Sequence, residues 1–246
     1  MSALYPFLFY QRPRSIGRKV RVAYHVDAAA LFNLVALLQR EGFRLGELIF
    51  NYPPFATEAD GPLVFEKADF APGGLIVTAT RFERTRQYKK FVQRGFTPLE
   101  RAIEDAWRPF IRDSARLQMV LESRAARHLK PGFESRANVT FFQGEGARYK
   151  EVLTPRGFRK EKSRATAAFL LRVKELWPGG PGYVGAFGMD STTTLVWSHL
   201  LRHRHPELLS QEGFVMAELS GPTPGRVPNM KFADEWRSEV ILRAPA

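Results

Sequence analysis

The chain has 246 residues, is 44% hydrophobic, carries a formal net charge of +12 and contains no cysteine. Such a length and apolar content allow a sizeable core, as one large domain or two small ones, while the lack of cysteine excludes a disulfide framework and a thiolate metal site. The opening segment MSALYPFLFYQRPR has its charges after its apolar residues and is too short to span a bilayer, so it reads as an edge strand and not as a targeting signal; a cytoplasmic location is expected.

In chain order, Val20–Tyr24 reads as a first strand and Asp27 as the cap of the helix Ala28–Arg40, where Leu31, Leu34, Val35 and Leu38 recur at helical spacing. Gly42 stops that helix. A second strand is expected from Leu45 to Tyr52, ended by two prolines, with further strands at Leu63–Glu66 and Leu75–Thr80.

From Arg81 the chain becomes arginine-rich and helical in pattern. RFERTRQYKKFVQRG brings Arg84, Arg86, Lys89, Lys90 and Arg94 together with Phe82, Tyr88 and Phe91. Thr97-Pro98-Leu99-Glu100 is a helix start, with Thr97 as cap and Pro98 at the first helical position. The helix that follows carries Leu99, Ile103, Ala106, Trp107, Phe110 and Ile111 on its apolar side, and a further helical run to Leu129 carries Arg116, Arg124 and Arg127. Val139–Phe142 is a short strand. The stretch Arg148–Arg164, with Arg156, Arg159, Lys160 and Lys162 beside Tyr149 and Phe158, reads as an exposed hairpin or loop that can pair phosphate contacts with base stacking. A helix is expected from Ala165 to Leu176, and a last strand near Ser238–Leu242.

One pattern occurs twice. AYHVDAAALFNLVALLQR (23–40) aligns without a gap on AFGMDSTTTLVWSHLLRH (186–203), and the following EGFRLGEL and EGFVMAEL agree at five of eight positions. Each copy reads as strand, Asp cap, helix, Glu-Gly-Phe turn and strand. The fold class expected is therefore α+β, with two ferredoxin-like β-α-β halves (repeats 20–50 and 183–219) and an arginine-rich helical insertion. The domain division is 1–80, 81–135 and 136–246.

Charge follows this division. Residues 61–180 hold 24 of the 37 Lys and Arg against 13 Asp and Glu, so the basic excess sits between two nearly neutral ends, the footprint of a polyanion-binding surface on a neutral scaffold. Arg84, Arg86, Lys89, Lys90, Arg94, Arg116, Arg124, Arg127, Arg156, Arg159, Lys160 and Lys162 are the candidate nucleic-acid contacts.

Three local patterns bear on chemistry. GAFGMDSTTTL (185–195) resembles the pyrophosphate-binding loop of the PP-loop ATP pyrophosphatases at Gly188, Asp190, Ser191 and Thr192, but Ala186 and Phe187 stand where a Ser and a Gly let the phosphate approach, and the repeat explains Asp190 as a helix cap. His199 and His203 stand four apart with no third ligand, and read as a solvated helix end; no metal and no cofactor are expected. His25 sits at the end of the first expected strand, where the second copy has Gly188.

Two β-α-β halves, the arginine-rich insertion, the glycine-dense tract Gly179, Gly180, Gly182, Gly185 and Gly188, and a His after the first strand together resemble the RAMP superfamily, whose enzymatic branch includes the CRISPR RNA-processing endoribonucleases. The resemblance implies tandem ferredoxin-like domains and an RNA ligand, structured or single-stranded, with metal-independent cleavage as one activity. For cleavage, His25 or Tyr24 would take the proton from the ribose 2'-OH while Arg21 and Arg40 stabilise the phosphate. The alternatives are a non-catalytic nucleic-acid-binding subunit of a larger ribonucleoprotein complex, and a nucleotide-binding domain using the 185–195 loop.

Overall fold

In the computed structural model the segment Ala3–Phe9 (β1) lies inside a sheet, where sequence alone made it an edge. The structure describes residues 2–9, 18–45, 49–51, 70–79, 98–107, 109–112, 130–135, 139–144, 147–154, 157–163, 165–188, 191–221 and 233–245. β1 pairs in parallel with Arg44–Leu45 (β2) and Ile49–Asn51 (β3) on one side and with Leu75–Thr78 (β4) on the other. Between β1 and β2 runs the helix Arg18–Arg40 (α1).

This helix corrects the first strand of the repeat. Val20–Tyr24 is helical, and Asp27 lies well inside α1 and not at its cap. No Gly or Pro interrupts Arg18–Arg40, and the buried stripe of Leu34 and Ala30 continues back to Val26 at four-residue spacing. That stripe outweighs the weak β preference of Val20 and Val22. The two copies therefore agree over the helix and the strand after it, and differ before it.

The arginine-rich region contributes the helix Pro98–Trp107 (α2), which starts at the proline and ends ahead of Pro109. Ile111–Arg112 (β5), expected as helix, and Lys130–Ser135 (β6), which follows the expected helical run, are strands. With Val139–Gly144 (β7), Ala147–Thr154 (β8) and Gly157–Ser163 (β9) they form an antiparallel five-stranded sheet, so the expected strand near 139–142 and the hairpin of 148–164 are present. The expected strand at 63–66 and the helical run of 113–129 fall outside the described residues.

The expected helix at 165–176 is instead a strand, Ala165–Val173 (β10). Its Ala and Leu favour helix locally, but Ala168 and Leu170 join one buried layer while Ala167, Phe169 and Leu171 join another. A strand buried on both faces shows no polar alternation, which is why its sequence resembles a buried helix. Gly182–Gly188 (β11), the helices Ser191–His203 (α3) and Glu207–Ser210 (α4), Gly213–Ser220 (β12) and Arg237–Ala244 (β13) complete the fold.

The larger sheet has eight strands in the order β13-β12-β10-β11-β4-β1-β2, with β3 also on β1. β4 is parallel to β11, and β10 lies antiparallel between β11 and β12. β11, α3 and β12 thus make a split β-α-β unit, whereas α1 joins adjacent parallel strands. Helices α1 and α3 cover one face with an aliphatic layer that includes Leu34, Leu38, Val77, Leu170, Val196 and Leu201. The other face packs α2 in a layer rich in aromatic rings, among them Trp107, Phe110, Phe169, Phe187 and Phe214. The chain is mixed α+β, and strands from both ends share one sheet.

Candidate nucleic-acid interface

The register of β7, β8 and β9 brings aromatic and basic residues into rows across the smaller sheet. Phe142 stands opposite Tyr149 and Tyr149 opposite Lys162; Glu151 is opposite Lys160, and Leu153 opposite Phe158. Because residues alternate along a strand, these positions share one face of the three-stranded unit, and Arg148, Lys150 and Arg159 share the other. Of the candidate contacts, Arg159, Lys160 and Lys162 lie on β9. Arg84, Arg86, Lys89, Lys90, Arg94, Arg116, Arg124, Arg127 and Arg156 fall outside the described residues.

The four residues expected to cooperate in cleavage are divided by α1. Tyr24 and His25 are adjacent in its N-terminal part with Arg21 one turn before them, while Arg40 is its last residue. At 1.5 Å per residue, fifteen residues separate His25 from Arg40 by about 22 Å. With Val20–Tyr24 helical and not extended, the two-residue period of a strand does not relate Arg21 to His25.

Arg40 belongs to a different neighbourhood. α1 and α3 lie side by side in the same sense: the Asn33 amide donates to Ser198 Oγ at 3.2 Å, and Arg202 Nη1 donates to Asn33 Oδ1 at 3.1 Å. Both helices end on basic residues, Arg40 on α1 and Arg202 and His203 on α3. His199, read from sequence as solvated, is buried and donates from Nε2 to Asp234 Oδ1 at 3.0 Å. Its docking follows from Ala233 and Trp236, which bury themselves against the aliphatic layer and carry Asp234 with them. His203 remains exposed, with its ring centroid 4.5 Å from that of His199. Desolvation lowers the His203 pKa below the ordinary histidine value, and His199, Arg202 and Arg40 push it the same way, against Asp234. The hydrogen bond from His199 holds the Asp234 carboxyl below its usual range. Asp234 carried no motif in the sequence, since only tertiary packing joins positions 199 and 234.

Among the described side chains of the 185–195 segment, Ala186, Phe187, Thr193, Thr194 and Leu195 are packed inward. The Gly188 N–H donates to Thr194 Oγ1 at 2.9 Å, Thr193 and Thr194 are buried, and a Cβ at Gly188 would lie 2.4 Å from Thr193 Oγ1. Gly182, Gly185 and Gly188 lie within β11 and not in a loop, and a side chain at Gly185 would collide with the Tyr183 hydroxyl at 2.1 Å. Among the described residues no group of three or more His, Cys, Asp or Glu is arranged to hold a metal, and no helix is long and apolar enough to cross a membrane. Comparison with protein-family models, with curated proteins and with solved structures gives no match for this chain.

Proposed function

We propose that the chain binds RNA through the β7–β9 face of the smaller sheet, as the gripping subunit of a ribonucleoprotein, with the larger sheet as scaffold. The observation that carries this reading is the cross-strand row Phe142–Tyr149–Lys162, flanked by Lys160 and Phe158. Aromatic rings give bases a stacking surface and adjacent lysines neutralise phosphates, a combination suited to unpaired strands. The basic excess of residues 61–180 provides the long-range attraction.

The RAMP relationship is part of the same proposal, supported by the split β-α-β unit of β11, α3 and β12, the arrangement on which ferredoxin-like halves are built. Binding is favoured over cleavage because Arg40 is far from His25 along α1. The nucleotide-binding alternative is disfavoured because the Gly188 N–H and the Thr194 hydroxyl are already bonded to each other.

The test is a salt series of RNA binding in EDTA with single strands, hairpins and duplex DNA, read by anisotropy and by a cleavage gel. Replacing Lys160 and Lys162 with Gln should lower the salt slope by about 1.4 for a single strand, whereas Arg159→Gln, on the opposite face, should leave it nearly unchanged. Tyr149→Ala should cost about 1 to 3 kcal/mol of binding. An unchanged slope and affinity in both the lysine variant and Tyr149→Ala sinks the reading, and cleavage by the parent that His25→Ala abolishes would restore the endoribonuclease.

A further inference from the structure

We propose that the larger sheet carries a second site, in which Ser238, His205 and Glu207 act as nucleophile, base and orienting acid on a carboxylic ester. His205 Nε2 lies 2.8 Å from Ser238 Oγ, and Nδ1 of the same ring lies 3.7 Å from Glu207 Oε1. A hydroxyl on one ring nitrogen and a carboxylate facing the other is the arrangement that activates a serine. The second distance has only to close by several tenths of an ångström, as such contacts do when substrate binds. The Glu207 carboxylate is exposed, and His205 and Ser238 are partly exposed, so a substrate can reach all three.

The histidine is held before any substrate arrives. Its N–H donates to the Leu200 carbonyl at 3.0 Å and its carbonyl accepts from the Leu208 N–H at 3.1 Å, so its backbone is fixed on both sides. Pro206, at φ −60°, sets the short step from His205 to Glu207. The ring centroid is 6.4 Å from that of the fully buried Trp197, whose Nε1 is tied to the Phe169 carbonyl. Ser238 is delivered by β13. Val240, two residues on, packs against the aliphatic layer, so Ser238 faces the same helical side of the sheet.

The bland alternative is that the bond to Ser238 only anchors the strand, and that anchor is already made. Arg204 donates to the carbonyls of Trp236 and Asp234 at 2.9 Å each, and Ala233 and Trp236 are buried in the aliphatic layer. The setting also suits an acyl substrate. Among the described residues β13 is an edge of the eight-stranded sheet, so alternate backbone N–H groups turn away from β12, and one of them lies at Ser238 or at the residue beside it. An extended acyl chain can add to that edge and set its carbonyl oxygen against the outward N–H.

In the reaction, Ser238 Oγ bonds to the ester carbonyl carbon as its proton passes to His205 Nε2. The bond to the alcohol oxygen breaks, and that oxygen takes the proton. Water then attacks the acyl carbon, giving a proton to the same nitrogen; the bond to Oγ breaks, Oγ takes the proton and the acid leaves.

The experiment uses the full chain with p-nitrophenyl acetate and, separately, with a fluorophosphonate whose site of attachment is mapped by mass spectrometry. The expected results are attachment at Ser238 and ester hydrolysis that falls about 100-fold or more in Ser238→Ala. His205→Gln, whose amide can still hold the Ser238 hydroxyl but cannot take its proton, should lose both activities while keeping the parent's melting temperature. Glu207→Gln should lower kcat and leave KM unchanged. Attachment elsewhere or nowhere in the parent, hydrolysis unchanged in Ser238→Ala, or activity retained by His205→Gln overturns the site. None of these variants touches the β7–β9 face, so RNA binding should match the parent, and the two readings stand or fall separately.

Discussion

Tyr183 joins three elements of the aromatic layer through one hydroxyl. It is fully buried on β11, accepts from Trp107 Nε1 of α2 at 2.9 Å and lies 2.8 Å from Thr78 Oγ1 of β4. Removing the hydroxyl leaves two buried polar groups short of a partner, so Tyr183→Phe should cost about 1 to 3 kcal/mol in urea unfolding. Burial pushes the phenol up from 10.0 to about 12, against the two hydrogen bonds, which lower it. A folded-state pKa above the unfolded value means a contribution fully present below pH 10 and lost as pH rises toward 12. The stability difference between the parent and Tyr183→Phe should therefore shrink across that window by about 1.4 kcal/mol per pH unit. A constant difference would show that the phenol titrates normally.

The two Glu-Gly-Phe turns are an element-scale experiment made by the repeat. Gly42 follows α1 with φ +95° and Gly213 opens β12 with φ +130°, so both use backbone that side chains rarely adopt. Their surroundings differ: nothing lies within 4 Å of a Cβ at Gly42, whereas one at Gly213 would meet the Ala244 carbonyl oxygen at 2.4 Å. Gly42→Ala should cost about 1 to 2 kcal/mol from backbone strain alone. Gly213→Ala should cost more, because β13 must shift as well, and equal losses in thermal unfolding would contradict the packing of β13 on β12. In the helical pair, Leu34→Ala and Leu201→Ala each empty a fully buried position and should cost about 2 to 5 kcal/mol by the same measurement.

At the scale of the whole molecule, β4 sits between β1 and β11, and the aliphatic layer draws on α1 and α3 together. Separate polypeptides of residues 1–80 and 136–246 would each expose a sheet edge and half of that layer. Each should lack dispersed NMR resonances alone, and mixing them should restore part of the native spectrum. Two well-folded fragments would refute this account of the core.

What the sequence by itself determined was carried by local rules. The stripe of Leu31, Leu34, Val35 and Leu38, the Pro98 helix start, the glycine turns, β4, β7, the β8–β9 hairpin and the repeated helix-turn-strand all follow from periodicity and turn chemistry within short windows. Only the tertiary structure decided the rest. Val20–Tyr24 is helical because its helix packs on α3 and the sheet takes β1 as its strand, and Ala165–Val173 is extended because apolar layers press on both its faces. The pairing of α1 with α3 was hidden for the same reason. Its contacts, Asn33 with Ser198 and Arg202, span more than 160 residues, beyond the reach of any sequence spacing.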